Sequence, residues 1–205
     1  MTHIGHSEKV FNMKRLLLIL ILTLSFQSLS KADDIRDFEI EGMSIGDSLL
    51  NYFSEDEIIN NFNTYYYPGS RKYFRLWNNK NFNKSLIDYE EIAFEIKAND
   101  KKYKLEAING TFNYKNNIDK CNLKQKKIIN EISSSLNLPA DENYTYKYPN
   151  NEGSSEVTDF NFSNGSIRIW CTDYSIKKEK NFVDHLGVAI QTKDHFKWVA
   201  TKANK

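Results

Sequence analysis

The stretch EEIAFEIKANDKKYKLEAINGTFNY, residues 90–114, decides the fold class of this chain. Ile92, Phe94 and Ile96 alternate with charged or small neighbours, and beyond Ala98, Asn99 and Asp100 the residues Tyr103, Leu105 and Ala107 do the same. A period of two lays one side of each segment on a core and turns the other to water, which predicts an antiparallel hairpin. Ile108, Phe112 and Tyr114 fall on the opposite parity, so a β-bulge is expected near Asn109 and Gly110.

A second hairpin follows downstream in EVTDFNFSNGSIRIWCTDYS, residues 156–175. Asn164-Gly165 is the strongest short turn signal available. Phe160 and Phe162 alternate on one side of it, and Ile167, Ile169 and Cys171 on the other. FVDHLGVAIQT adds a third strand through Leu186, Val188 and Ile190, and DHFKWVATKA reads as a closing helix capped by Asp194.

Helical spacing precedes each strand set. In MSIGDSLLNYFSEDEIINNF, Leu49, Leu50, Phe53, Ile58, Ile59 and Phe62 recur at helix-like offsets, with Ser44 and Asp47 as caps and Ser54 with Glu57 as a capping box. Pro68-Gly69 is a turn and KYFRLWNN a strand. In NIDKCNLKQKKIINEISSSLN, Ile118, Cys121, Leu123, Ile128, Ile132 and Leu136 give a longer helix, closed by Pro139. The stretch 141–155 reads as looser chain. The expectation is an α+β fold with helices packed on antiparallel sheet, arranged as two tandem helix-plus-three-strand units at 38–115 and 116–200.

Residues 13–34, MKRLLLILILTLSFQSLSKADD, have a different character. Lys14 and Arg15 precede an apolar run over 16–26, and Ser30 and Ala32 occupy the two small positions of a cleavage site. That order is the layout of a secretory signal, and the run is roughly half the ~20 apolar residues a membrane span needs. The reading is a leader at 1–32 starting at Met13, a mature domain at 33–205, and periplasmic or secreted location after cleavage near Ala32. No second apolar run is long enough to span a bilayer.

Residues 1–32 hold four basic residues and one acidic one, so the chain's 28 Lys+Arg and 27 Asp+Glu become 24 and 26, a net of −2. A near-neutral domain lacks the excess of cations that binds nucleic acid or anionic lipid. The composition is rich in Asn, Lys, Ile, Tyr and Phe, the residues of A/T-rich codons, so its aromatic content can report codon usage as readily as a ligand surface. Cys121 and Cys171 are the chain's two cysteines. In an exported protein such a pair reads as a disulfide. Neither stands in a Cys-x-x-Cys or near a His, as a metal site would require.

IEGMSIGDSLLNYF resembles the opening of small envelope proteins of the outer-membrane-assembly lipoprotein E (SmpA/OmlA) type: a strand end, Gly-Met-Ser, then a helix running into antiparallel strands. The tandem arrangement is similar to that of β-lactamase inhibitor protein. The chain lacks the lipidated Cys and the Gly-x-Pro of the first group, and the resemblance carries over no functional residue. The whole chain also resembles exported proteins of bacteria with A/T-rich genomes, a resemblance that implies export and no activity.

Catalytic signals are sparse. Asp184 with His185 and Asp194 with His195 are the Asp-His pairs, but neighbours on a strand point to opposite faces, so both His are expected at the surface. The letters G-x-S-x-G occur at Gly42-Met43-Ser44-Ile45-Gly46, in the stretch read here as a helix entrance with Ser44 as a cap; there is no H-E-x-x-H, no Gly-rich phosphate loop and no calcium-loop spacing. No catalytic residue, metal or cofactor is expected. A binding signal remains in NTYYYPGSRKYFRLW. Three consecutive Tyr cannot share one face of a strand, and Tyr, Trp and Arg are the residues that anchor interfaces. Tyr65, Tyr66, Tyr67, Arg71 and Trp77 are therefore the candidate binding residues, against the alternative of edge rings lying over the protein's own surface. Two functional readings follow. One is an exported, non-catalytic binding or protein-interaction module for an envelope protein or glycan. The other is an envelope-polymer hydrolase or other small periplasmic enzyme.

Overall fold

The computed structural model describes residues 34–78, 86, 88–175 and 182–203, all within the unit Lys31–Lys205. The leader expected at 1–32, with its cleavage site, lies outside the described residues. The fold is α+β and mostly sheet. A short ribbon pairs β1 (Glu39–Ile40) with β2 (Met43–Ser44). Helix α1 (Glu55–Asn61) leads into β3 (Phe62–Tyr66), β4 (Tyr73–Asn78), β5 (Glu91–Lys97) and β6 (Leu105–Asn113). Helix α2 (Ile118–Leu136) leads into β7 (Glu142–Lys147), β8 (Gly153–Asn161), β9 (Gly165–Tyr174) and β10 (His185–Thr192), and α3 (Lys193–Thr201) follows. The eight strands from β3 to β10 form one antiparallel sheet in the order β3-β4-β5-β6-β10-β9-β8-β7.

Alternation sorts the sheet's two faces. Phe94 pairs with Ile108, Ile96 with Leu105, Val188 with Ile169 and Leu186 with Cys171. These side chains meet Leu49, Phe53, Ile58, Ile132 and Leu136 from the helical layer in one continuous buried core. Burying each such side chain contributes about 1.5–3 kcal/mol. The other face carries Arg75, Trp77, Ala93, Glu95, Asn109, Gly187, Ala189, Arg168 and Trp170. Helix α3 covers one end of it.

Local chemistry explains the elements. Ser54 and Glu57 complete the expected capping box of α1, each side chain bonding the other's backbone N–H. Asn117 caps α2, and Asn137 ends it in the left-handed region at φ 51°, its N–H reaching Ser133 and Ser134 carbonyls. Asn also takes the left-handed positions 99, 116, 150 and 151, work that glycine does in most chains. The bridge Cys121–Cys171 pins α2 to β9 with Cα atoms 5.9 Å apart, and both cysteines are buried.

Several expectations are corrected. Residues 44–53 are not helical: Ser44 belongs to β2, and Leu49–Asn51 form one 3₁₀ turn capped by Ser48. Asp47 instead accepts from the Ser44 N–H and the Tyr52 hydroxyl. Four strands, not three, follow each of α1 and α2, because Phe62–Tyr66, placed at the end of the helical spacing and in the tyrosine run, form β3 and the stretch read as loose contains β7. The bulge lies at Glu106, where the register steps from Glu95–Ala107 to Ile96–Leu105. Thr192, rather than Asp194, caps α3 by accepting from the His195 N–H. Leu123 is 68% exposed, off the stripe that buries Cys121, Gln125, Ile132 and Leu136.

Candidate functional site

The face of the sheet opposite the main core has three zones. Beneath α3 lies a sealed polar cluster. Glu95 on β5 is fully buried. Its Oε1 accepts from the Tyr67 hydroxyl at 2.7 Å and from Arg75 Nε, and its Oε2 faces His195 Nε2 at 3.8 Å. Burial alone would push this carboxyl up, but the Arg75 guanidinium, His195 and Tyr67 outweigh it and hold the pKa below the usual carboxylate range. Burial pushes the Tyr67 phenol up. His195 Nδ1 meets Gln191 Oε1 at 3.1 Å. Tyr73 and Trp198 close the cluster, with ring centroids 4.8 Å apart. His195 is thus a core residue, not a surface one.

The middle zone is a floor of small side chains on the central strands: Ala93, Asn109, Thr111, Gly187 and Ala189. Trp77 and Tyr65 stand at one border of this floor, their rings 6.5 Å apart. At the other border is Trp170. Its indole lies flat on Gly187, so close that a Cβ there would sit 2.1 Å from the ring. Trp77 and Trp170 are four strands apart, about 19 Å at the usual strand spacing.

The third zone is an aromatic row continuing from Trp170. Tyr146 and Tyr148 are 5.2 Å apart, Tyr148 and Tyr174 stack at 6.0 Å, and Tyr174 lies 5.9 Å from His185 and 5.3 Å from Phe182. Tyr146 and Phe182 are about half exposed. Trp170 donates its indole N–H to His185 Nε2 at 3.4 Å, and His185 Nδ1 meets the Val183 carbonyl at 3.0 Å. An indole nitrogen can only donate, so Nε2 is the acceptor and Nδ1 carries the proton. Burial lowers the pKa of this imidazole, outweighing the Val183 bond and nearby Glu91 and Asp184. The neighbouring Asp184 is buried as well, its carboxylate accepting from the Tyr174 N–H and its carbonyl from the Tyr114 N–H.

The five candidate binding residues divide between the two faces. Tyr65 and Trp77 share the open face. Tyr67 lies on it too, but is 9% exposed beneath α3. Tyr66 is on the opposite face at the sheet edge, 54% exposed, 5.9 Å from Phe74 with the Arg71 guanidinium 5.8 Å over its ring. The larger aromatic surface, at Tyr144, Tyr146, Tyr148, Trp170 and Tyr174, went unread in the sequence. Its signal is a ring at every second residue from Tyr144 to Tyr148, matched by the even parity of Trp170 and Tyr174.

Chemically the described residues of the open face offer flat apolar surfaces and amide and hydroxyl groups, and the cations that β4, β5 and β9 set there are held by carboxylates. Arg168 is held by two 2.8 Å bonds to buried Asp159, Arg75 by Glu95, and Lys97 by Glu106 at 2.7 Å. Among the described residues no group of three His, Cys, Asp or Glu side chains is placed to hold a metal ion, and no helix is long and apolar enough to cross a membrane. No family model, no curated protein and no solved structure matches this chain.

Proposed function

We propose that the protein is an exported, non-catalytic binding module, released from its leader near Ala32 into a periplasmic or extracellular compartment, and that it binds through the open face of the eight-stranded sheet. The observation that carries the reading is the placement of partly exposed rings, Tyr65 and Trp77 at one border and Trp170 at the other, around a floor of small residues. Rigid aromatic rings present large contact area at little conformational cost. The Cys121–Cys171 bridge supports an oxidising compartment.

The hydrolase alternative needs a proton-transfer group open to substrate. Glu95 is sealed beneath α3, both ring nitrogens of His185 are engaged, the Ser44 hydroxyl donates to the Phe38 carbonyl, and the exposed carboxylates Glu91 and Glu142 stand five strands apart, too far to act as a pair, so binding is the reading adopted. We further infer that the halves 38–115 and 116–200 are tandem units, each a helix followed by antiparallel strands. What supports this is the strand order: each half runs outward-to-inward, and the two meet at β6 and β10.

Co-sedimentation of the mature protein with isolated cell envelopes tests the binding reading. Wild-type protein is expected in the pellet, and a Trp77→Ala/Tyr146→Ala double variant in the supernatant. Equal partitioning of the two would defeat it. Amino-terminal sequencing of exported protein tests the leader: the expected first residue is Asp33, and an intact apolar run in the mature protein would refute export by cleavage.

A further inference from the structure

We propose that the open face is a glycan-binding platform, on which the Trp77 and Trp170 rings stack against the pyranose rings of one linear, uncharged polysaccharide strand lying over the floor between them. The inference rests on the binding reading above and names its ligand class.

Three observations select a sugar. First, the exposed apolar groups that the strands set on this face are rings, whereas the exposed aliphatics Leu50, Ile59 and Leu123 belong to the helical layer behind the sheet and Val183 to the chain entering β10. A surface built for a protein partner places aliphatic and aromatic anchors together in a desolvated centre. Here the centre is Ala93, Asn109 and Thr111, half-buried and small. The C–H faces of a pyranose need flat rings at the borders and clearance between them, and this face supplies both.

Second, the charges of the described residues disfavour the other stacking ligands. Nucleic acid strands also stack on aromatic rings, but they need a cationic groove along the backbone. Arg75, Arg168 and Lys97 are each bound to a carboxylate of the protein itself. Glu91 and Glu142, exposed on the same face, repel an anionic strand and are good acceptors for sugar hydroxyls.

Third, the key ring is held in place before ligand arrives. Gly187 allows the Trp170 indole to lie directly on the backbone, and the bond to His185 fixes its rotation. A ring so held loses little freedom on binding.

The test uses mature, disulfide-bonded protein and three probes: cellohexaose, the hexamer of N-acetylglucosamine, and peptide-free glycan strands from cell wall. Isothermal titration should register binding of at least one, with a shift in tryptophan emission. Trp77→Ala and Trp170→Ala should each weaken that binding about tenfold or more, the loss typical of a central aromatic anchor. Because Trp170 also packs on the sheet, Tyr146→Ala, at a half-exposed ring, gives a variant expected to keep the fold and bind the probe several-fold more weakly. Failure of all three probes to bind, or binding indifferent to Trp77→Ala and Tyr146→Ala, overturns the proposal. A separate arm treats isolated envelopes with protease before co-sedimentation. Loss of binding there shows a protein partner and overturns the glycan assignment while leaving the binding reading intact; absence of binding to untreated envelopes defeats both.

Discussion

Trp170 and His185 are joined indole N–H to imidazole Nε2 at 3.4 Å, and that one bond couples the aromatic face to proton concentration. Protonating His185 would set two donors against each other, in a site where burial already disfavours the charge. The folded-state pKa lies below the ordinary 6.5, so the unfolded chain takes up the proton first. The resulting stability is present above about pH 6.5 and declines as pH falls below it. Urea unfolding between pH 7.5 and 5 should show this decline, and His185→Gln, which can accept from Trp170 at every pH, should flatten it. Tryptophan emission should change over the same interval in the wild type only.

Glu95 is a separate acid-sensitive point. Its folded-state pKa lies below the ordinary glutamate value of 4.5, so its contribution is whole above that value and is lost as pH falls through the lower folded value. Glu95→Gln leaves Arg75 without its counter-charge, but the Arg75 side chain is 40% exposed and water screens it, so the cost should be about 1–3 kcal/mol, less than for a fully buried pair. Denaturant midpoints at pH 7 decide this.

Tyr66 and Tyr67, adjacent in sequence, should respond in opposite ways to truncation. Tyr66→Ala removes an edge ring that is 54% exposed and should stay within about 0.5 kcal/mol of wild type. Tyr67→Ala opens the cluster beneath α3 and strips a bond from Glu95, at about 3–5 kcal/mol. Equal effects in thermal unfolding would contradict the assigned faces.

Replacing Cys121 and Cys171 together by Ser removes a cross-link closing 50 residues, worth about 4 kcal/mol in the chain-entropy treatment. Because both sulfurs are buried, a reductant should cleave the native bond only as fast as the protein opens. Reduction monitored by mass spectrometry, with and without mild denaturant, measures this directly.

Gly187→Ala should displace the Trp170 ring. Overpacking of this kind costs about 1–3 kcal/mol, and the emission of Trp170 should move toward that of an exposed indole. Unchanged emission would mean that the ring does not rest on Gly187.

The hairpins and the long helix were legible because their periodicity is local: Ile92, Phe94 and Ile96 declare one face, and the helical layer covers that face. Strand β7 was not, since all six of its residues are exposed and none needs a core. The 3₁₀ turn at Leu49–Asn51 was misread because Leu49 and Phe53 keep helical spacing while the chain at Gly46 bends through a φ of 92°. Glu95 sits on the polar parity of β5, where sequence reads water. Only α3, returning from some hundred residues away, turns that position into an interior.

Strand β10 lies between β6 and β9, yet the chain delivers it after both. The two halves of the sheet therefore have no shared hydrogen bonds until residues 185–192 arrive. Until then β6 and β9 each present a bare edge, open to any passing strand. A chain threaded through a membrane from its amino end would spend nearly the whole passage as two unjoined ribbons and become a single sheet at the last step. Its hazard is one of timing: a stalled passage leaves adhesive edges that a completed one conceals.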